Sequence, residues 1–451
     1  MEPVPEHTYW VEVYGCQMNV SDSENICGIL DAAGWSRVDD PGDAGAVIVV
    51  TCAVREHAEV RALGRITQLG AYGTGRGRPV TAVCGCVAEE HGSALLERYP
   101  VIDHVVGPGR YRDLPGILAG GRSSSTGHGD HHYEGVVPVR RTFPRSFVTI
   151  MRGCDNFCSY CIVPYVRGRE RSRPAGAVVA EAASLASAGY GEITLLGQNV
   201  NSYRSGGIGF PELLELVSEA AGGAWVRFVT SHPRDLTPRL VDAMSSCRNV
   251  CRMLHLPVQS GSDPVLAAMN RGYTRCDYLA KVRMLREAMP GIVLSTDMIA
   301  GFPGETDGDL EDSASLLEEV GFDYAFLFRY SERRGTAAAS MQGSVPVVER
   351  LERLHRLQDV QGVITRRLSA GLAGRLVPVL VTGPGSRPSQ TLGRTPGNRA
   401  VVFAGSPAPA GRFVLARIES GDGWTHFARF ERELGVSEQF EACEGWDAAG
   451  R

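Results

Sequence analysis

Lysine is almost absent: Lys281 is the one lysine among the 46 basic residues of this 451-residue chain. That excludes a phosphate-cradling P-loop. Gly-x4-Gly-Lys-Ser/Thr needs a lysine after glycine, and Lys281 stands in YLAKVRML. Long apolar runs are missing too. The longest fall far short of the ~18 residues that span a bilayer, so no membrane segment is expected. The stretch MEPVPEHTYW carries two glutamates and no apolar core, unlike a secretory signal. These absences lead to the expectation of a cytoplasmic protein whose cysteines stay reduced. Aromatics are few, at 7%, but 43% of residues are apolar and 22% charged, which excludes disorder and collagen. At about 150 residues per domain the length suits roughly three domains.

The expected fold class is α/β. Residues 6–119 alternate strands (TYWVEVYG, AVIVVT, PVTAVCG, VIDHVVG) with helices over about 21–33 and 56–69 and a third reaching Tyr99. Such alternation implies a parallel sheet. Residues 120–140 include GGRSSSTGHGDHHYEG, which reads as a polar linker whose histidines need no metal. Residues 141–369 hold six strand candidates, SFVTIMRG, EITLLG, WVRFVTS, CRMLHLP, GIVLSTD and FDYAFLF. With helices between them they suggest a partial TIM-like (βα)6 barrel. Residues 370–434 carry five short strands parted by Gly/Pro/Ser turns, the pattern of a small antiparallel barrel. Residues 435–451 read as an acidic tail.

The twelve cysteines sort into groups. Cys154, Cys158 and Cys161 stand in RGCDNFCSYCIVPY, spaced C-x3-C-x2-C. Three close thiolates suit three irons of a four-iron cluster, which normally takes four cysteine ligands. The open iron is then free to take a substrate or cofactor. Structural zinc competes, but it usually needs a second pair of ligands, and none follows. The loop comes after the first barrel strand, at the face where barrel enzymes build active sites. Cys16, Cys52 and Cys86 each lie just past a strand of the first domain. In a parallel sheet those ends share one edge, so the three should converge on a shared metal site. Cys84 rivals Cys86 from two residues earlier, on the same face but deeper. Cys27, Cys84, Cys247, Cys251, Cys276 and Cys443 read as plain buried thiols.

The C-x3-C-x2-C loop resembles the signature of radical S-adenosylmethionine (SAM) enzymes. Around it, YGCQMNVSDSE, TCAVREHAE, GCVAEE, RGCDNFCSYCIVPYVRGRERSRP, LLGQNVNSY, LHLPVQSGS and GFPGET look like the methylthiotransferase family. YGCQMN looks like its MiaB-type tRNA branch, rather than the branches acting on threonylcarbamoyladenosine of tRNA or on a ribosomal protein. GRTPGN resembles the TRAM RNA-binding module. Val50 stands where the family usually has Asn, and Arg334 where proline is expected.

The resemblance implies two four-iron clusters, one on Cys154, Cys158 and Cys161 and an auxiliary one on Cys16, Cys52 and Cys86. It implies that SAM yields a 5′-deoxyadenosyl radical, and that a methylthio group replaces hydrogen on carbon 2 of isopentenyladenosine next to the anticodon. It also implies a flavodoxin- or ferredoxin-type electron donor and a sulfur donor. Candidate SAM contacts end the barrel strands: Gln198, Asn199, Ser231 with His232, Gln259 with Ser260, and Asp297. Phe157 and Tyr160, beside cluster ligands, are candidates to pack on the adenine. GFPGET also reads as a turn in which Thr306 caps the next helix.

From Gly362 to Ile418 there are eight arginines, Arg387, Arg394 and Arg399 among them, and no acidic residue. A basic small barrel reads as an RNA-backbone binder, although the net charge of −5 gives no such hint. Arg167, Arg169, Arg171 and Arg173 form a second candidate phosphate cluster. The contrasting class is a non-catalytic, metal-stabilised RNA-binding protein.

Overall fold

Strand β1 (Thr8–Val13) begins a six-stranded parallel sheet with β2 (Ser36–Arg37), β3 (Ala46–Thr51), β4 (Val80–Gly85), β5 (His104–Val106) and β6 (Ser123–Ser125), in the order β2-β1-β3-β4-β5-β6. This is a computed structural model describing residues 7–53, 56–69, 78–127, 129, 133–405 and 408–448. β3 reads AVIVVT because it is buried on both faces, so it shows no polar alternation. Ile48 and Val50 pack with helix α1 (Gln17–Ala32) on one face, Val47 and Val49 with α2 (Glu56–Leu69) on the other.

This first unit differs from the sequence expectation at its far edge. It spans residues 1–141, with 152–157 and 161–171. The segment expected to be a linker supplies β6, which pairs with β5 along the backbone and through Ser123, whose hydroxyl lies 3.0 Å from His104 Nδ1. Further along, the Val139 amide donates to the Glu24 carbonyl and Arg140 pairs with the buried Glu24 carboxylate at 2.8 Å. A Cβ at Gly28 would overlap the Val137 carbonyl, so α1 needs glycine under this strap. The histidines at 128, 131 and 132 lie outside the described residues. The third helix is broken at Gly92, giving α3 (Cys86–His91) and α4 (Ala94–Arg98).

The second unit comprises residues 142–151, 158–160 and 172–451. Its six parallel strands are Arg145–Thr149, Glu192–Leu196, Trp225–Phe228, Met253–His255, Val293–Ala300 and Tyr324–Arg329. They form two three-stranded sheets joined by the bridge Val226–Val250. Leu213 and Val217 of helix Phe210–Ala221, Leu285 of Arg275–Ala288 and Leu317 of Asp307–Val320 bury the barrel's outer face. Thr306 does cap the last of these, with Asp309 completing a capping box.

Five strands, Leu376–Pro384, Gln390–Arg394, Ala400–Ala404, Phe413–Gly421 and Thr425–Leu434, close a small barrel. It is not purely antiparallel, because Ala400–Ala404 pairs in parallel with Thr425–Leu434. The small barrel packs on the N-terminal ends of the larger barrel's strands. Buried Arg227 donates to the Thr395 and Pro396 carbonyls and pairs with Glu192 at 2.7 Å, while Trp424 lies 4.9 Å from the Tyr324 ring. The expected tail is mostly a helix, Val436–Ala448, held by Gln439 bonding to the Gly223 carbonyl and by Phe440 packing with Trp225 and Cys251.

Candidate metal centres

Register brings the dispersed cysteines together. Val13 is level with Val50, and Val50 with Cys84, so β1, β3 and β4 end in one row. Cys16 caps α1, Cys52 follows Thr51, and Cys86 opens α3. The glycines before the cysteines make the approach sterically feasible. A Cβ at Gly15 (φ +131°) would overlap Cys52 Cβ, and one at Gly85 (φ +100°) would overlap the Thr51 carbonyl. Gly153 before Cys154 is equally crowded, by the Arg169 carbonyl. The Gly-Cys dipeptides at 15, 85 and 153 were therefore a further signal in the sequence.

Cys84 is not an equivalent of Cys86. It packs with Tyr9 and Ile26 on the sheet's other face, because the chain turns into α3 between the two cysteines. Burial pushes its thiol up, as it does that of Cys86, where Arg167 works against it. A hydrogen bond from Cys52 and the charge of Arg167 pull the Cys16 thiol down to about 6 against the cost of burial.

Arg167 corrects an expectation. It is buried, not offered to phosphate. Nε donates to Cys86 Sγ at 3.1 Å and Nη2 pairs with Asp22 at 2.7 Å. Asp22, fully buried on α1, also takes Arg152 at 2.9 Å. Burial works to raise the Asp22 carboxyl, but Arg167 and Arg152 outweigh it and hold it below the usual range. Asp22 and Arg152 were not foreseen, since nothing local marks an acid in a helix as buried.

The C-x3-C-x2-C loop divides between the units, 152–157 and 161–171 with the first and 158–160 with the second. In the second unit, Ser159 is tied at its amide to the Met269 carbonyl (3.0 Å) and at its hydroxyl to the Ala268 carbonyl (2.8 Å). Arg271, also unforeseen, donates to Cys158 Sγ at 3.3 Å. Tyr160 packs with Val265 and Met269. In the first unit, Phe157 is 39% exposed, edge-on to Tyr165 and beneath the Arg169 guanidinium at 5.4 Å.

The strand-end candidates lie at the C-terminal ends of the larger barrel. Asn199, Ser231 and His232 are buried, and Asn199 Oδ1, Ser231 Oγ and His232 Nε2 have no hydrogen-bond partner among the described residues. Buried polar atoms left so are costly without a ligand or water. Burial, reinforced by Arg271, pulls His232 down to about 2, so the imidazole is neutral. Gln259 extends the fourth strand by bridging to Met298 at φ +78°, with Ser260 buried behind it. Asp297 is half-buried, 3.5 Å from His255, and Gln198 is half-buried.

The arginine run is less unopposed than its composition suggests, because acids from outside the window reach it. Arg399 is buried and pairs with Asp323 at 2.5 Å, which overturns its reading as an RNA contact. Arg417 pairs with Glu431, and half-buried Arg394 donates to the Asn398 carbonyl. Arg366, Arg367, Arg387 and Arg412 are exposed. Arg169 is exposed and pairs with Asp155 at 2.7 Å.

The Radical SAM superfamily matches residues 148–317, the Uncharacterized protein family UPF0004 residues 8–107 and the TRAM domain residues 372–430. Among solved structures, the radical S-adenosylmethionine methyltransferase TsrM from Kitasatospora setae is similar at TM-score 0.57 and 14% identity, over 74% of this chain and 77% of that one. The cobalamin-dependent radical enzyme OxsB is similar at TM-score 0.53 and 13% identity, over 79% and 56%. Fold and domain content together define a radical SAM enzyme carrying a TRAM barrel, a class that uses a four-iron cluster and SAM. A protein of Moorella thermoacetica named tRNA-2-methylthio-N(6)-dimethylallyladenosine synthase is 43% identical, covering 92% of this chain and 97% of its own. One of Citrifermentans bemidjiense with the same name is also 43% identical, over 91% and 96%. The chain belongs to this family of tRNA methylthiotransferases. No described helix is long and apolar enough to cross a membrane.

Proposed function

We propose that this chain adds a methylthio group to carbon 2 of N(6)-isopentenyladenosine beside the anticodon of tRNA, in the cytoplasm, using two four-iron clusters. The gathering of Cys16, Cys52 and Cys86 around Arg167 carries the two-cluster reading. Three soft sulfur donors backed by a buried cation suit an iron–sulfur cluster, whose total charge is negative. Cys154, Cys158 and Cys161 hold the other cluster.

When bound, the clusters and SAM supply the one-electron chemistry and the sulfur. The chain's own residues bind and orient. Asn199, Ser231 and neutral His232 offer their unused polar atoms to the ribose and methionine parts of SAM. Gln198, Gln259 and Asp297 offer further polar groups, and Phe157 a ring face for adenine. Exposed Arg366, Arg367, Arg387 and Arg412 and half-buried Arg394 of the second unit, and exposed Arg169 of the first, hold tRNA phosphates. The target base must leave its stack to react, which an anticodon-loop adenosine does at low cost. A flavodoxin- or ferredoxin-type reductant and a sulfur donor complete the requirements.

Nucleoside mass spectrometry of tRNA tests this directly, in a strain lacking its own enzyme and complemented with this chain. The 2-methylthio derivative of isopentenyladenosine should appear. Unmodified isopentenyladenosine together with methylthiolated threonylcarbamoyladenosine would contradict the substrate assignment.

A further inference from the structure

We propose that Arg271 and Arg167 are positioning residues that set the reduction potentials of the two cysteine-held centres, each through an N–H···S bond and a buried positive charge. This rests on the two-cluster reading above and goes beyond it.

Arg271 is 3% exposed. Its fork is fixed by the Pro257 carbonyl at 2.7 Å and the Tyr273 hydroxyl at 2.9 Å, and Nη1 reaches Cys158 Sγ at 3.3 Å and the Tyr160 hydroxyl at 3.4 Å. Every one of these partners other than the cysteine is neutral. A guanidinium does not give up its proton inside a protein. A buried cation without an anion is strongly unfavourable, so the site calls for negative charge. A thiolate-held cluster at Cys158 supplies it.

Arg167 repeats the arrangement in the first unit. Its charge is partly met, because Asp22 is shared between it and Arg152. Two cations against one carboxylate still leave one positive charge, and Cys86 Sγ lies 3.1 Å from Nε. Arg167 Nη1 is buried with no hydrogen-bond partner among the described residues. That spare donor fits an acceptor supplied by the centre itself, such as a cluster sulfide.

Hydrogen bonds and positive charge at the sulfurs favour the reduced, more negative form and so raise the reduction potential. Each arginine touches one cysteine set, so each should move one potential. Arg271 should act more strongly, since no carboxylate shares its charge.

The test is potentiometry followed by electron paramagnetic resonance on the anaerobically reconstituted full chain, with iron and sulfide counted in every sample. Cys16, Cys52 and Cys86 changed to Ala isolates one centre, and Cys154, Cys158 and Cys161 changed to Ala isolates the other. Arg271→Met should shift its centre to a more negative potential, Arg167→Met should shift the other by less, and the Lys variants should recover part of each shift. SAM cleavage by Arg271→Met should slow with a weak reductant and return with a stronger one. Where a Met variant loads no iron, the Gln variant takes its place, keeping N–H donors without the charge. Fully loaded variants with unchanged potentials would overturn the inference. An unmutated chain that takes up no cluster would overturn the cluster reading instead.

Discussion

The two cysteine sets reach their positions by opposite routes. Cys154, Cys158 and Cys161 fall within eight residues, so loop spacing alone groups them. Cys16, Cys52 and Cys86 are separated by whole βα units and meet only because β1, β3 and β4 end in register. A site of the first kind tolerates changes elsewhere in the fold. A site of the second kind fails when the sheet edge moves. The supports differ accordingly. The dispersed set leans on a buried ion cluster, Asp22 with Arg152 and Arg167, whereas Cys158 leans on Arg271, whose other partners are neutral.

The sharpest way to break this contrast is Asp22→Ala. It strands two buried arginines, and breaking a buried pair costs about 3–5 kcal/mol. Chemical denaturation should show a loss of that size, with iron lost first from the dispersed set. Equal loss from both sets would mean that their supports are not separate.

Arg399→Ala should cost nearly as much, about 3 kcal/mol or more, by leaving the Asp323 carboxylate without its arginine. It acts on the second unit, so melting should drop while a chain that stays folded keeps iron on Cys16, Cys52 and Cys86.

A smaller effect comes from pH. Burial, with Arg399 nearby, pulls the His426 imidazole down to about 4, and its Nε2 lies 3.0 Å from the Ser369 hydroxyl. The folded state disfavours the proton that the unfolded chain accepts near pH 6.5. Stability is therefore full above that value and falls on acidification toward pH 4, by at most about 1.4 kcal/mol per pH unit. Thermal melts of His426→Gln should lose this slope. An unchanged slope would assign it to another group.

The smallest effect belongs to a single exposed arginine. Arg387→Ala should leave melting unchanged and weaken tRNA binding modestly, lowering the salt slope by about one. A stability loss instead would mean that Arg387 is as structural as Arg399.

Much of this architecture was legible because alternation and spacing are local signals. The strands of both α/β units, the C-x3-C-x2-C loop and the Thr306 cap could all be read from neighbouring residues. The dispersed cysteines were legible one step further, through the rule that parallel strands share a C-terminal edge. What escaped depends on distant partners. Arg167 and Arg399 look like solvated cations until Asp22 and Asp323 arrive from elsewhere in the chain. Ser123–Ser125 looks like linker because what holds it, the β5 backbone and the His104 and Arg110 side chains that meet Ser123 and Ser125, comes from earlier in the chain. Arg271 follows the helix Asp263–Ala268, more than a hundred residues from Cys158, with no motif linking the two.

The central claim is that the two cysteine sets hold two separate clusters. Iron and acid-labile sulfide counted on the anaerobically reconstituted chain test it most directly. Two separate clusters give about eight irons per chain, falling to about four when Cys16, Cys52 and Cys86 are changed together to Ala. About four irons in both proteins, or zinc in place of iron, would contradict it.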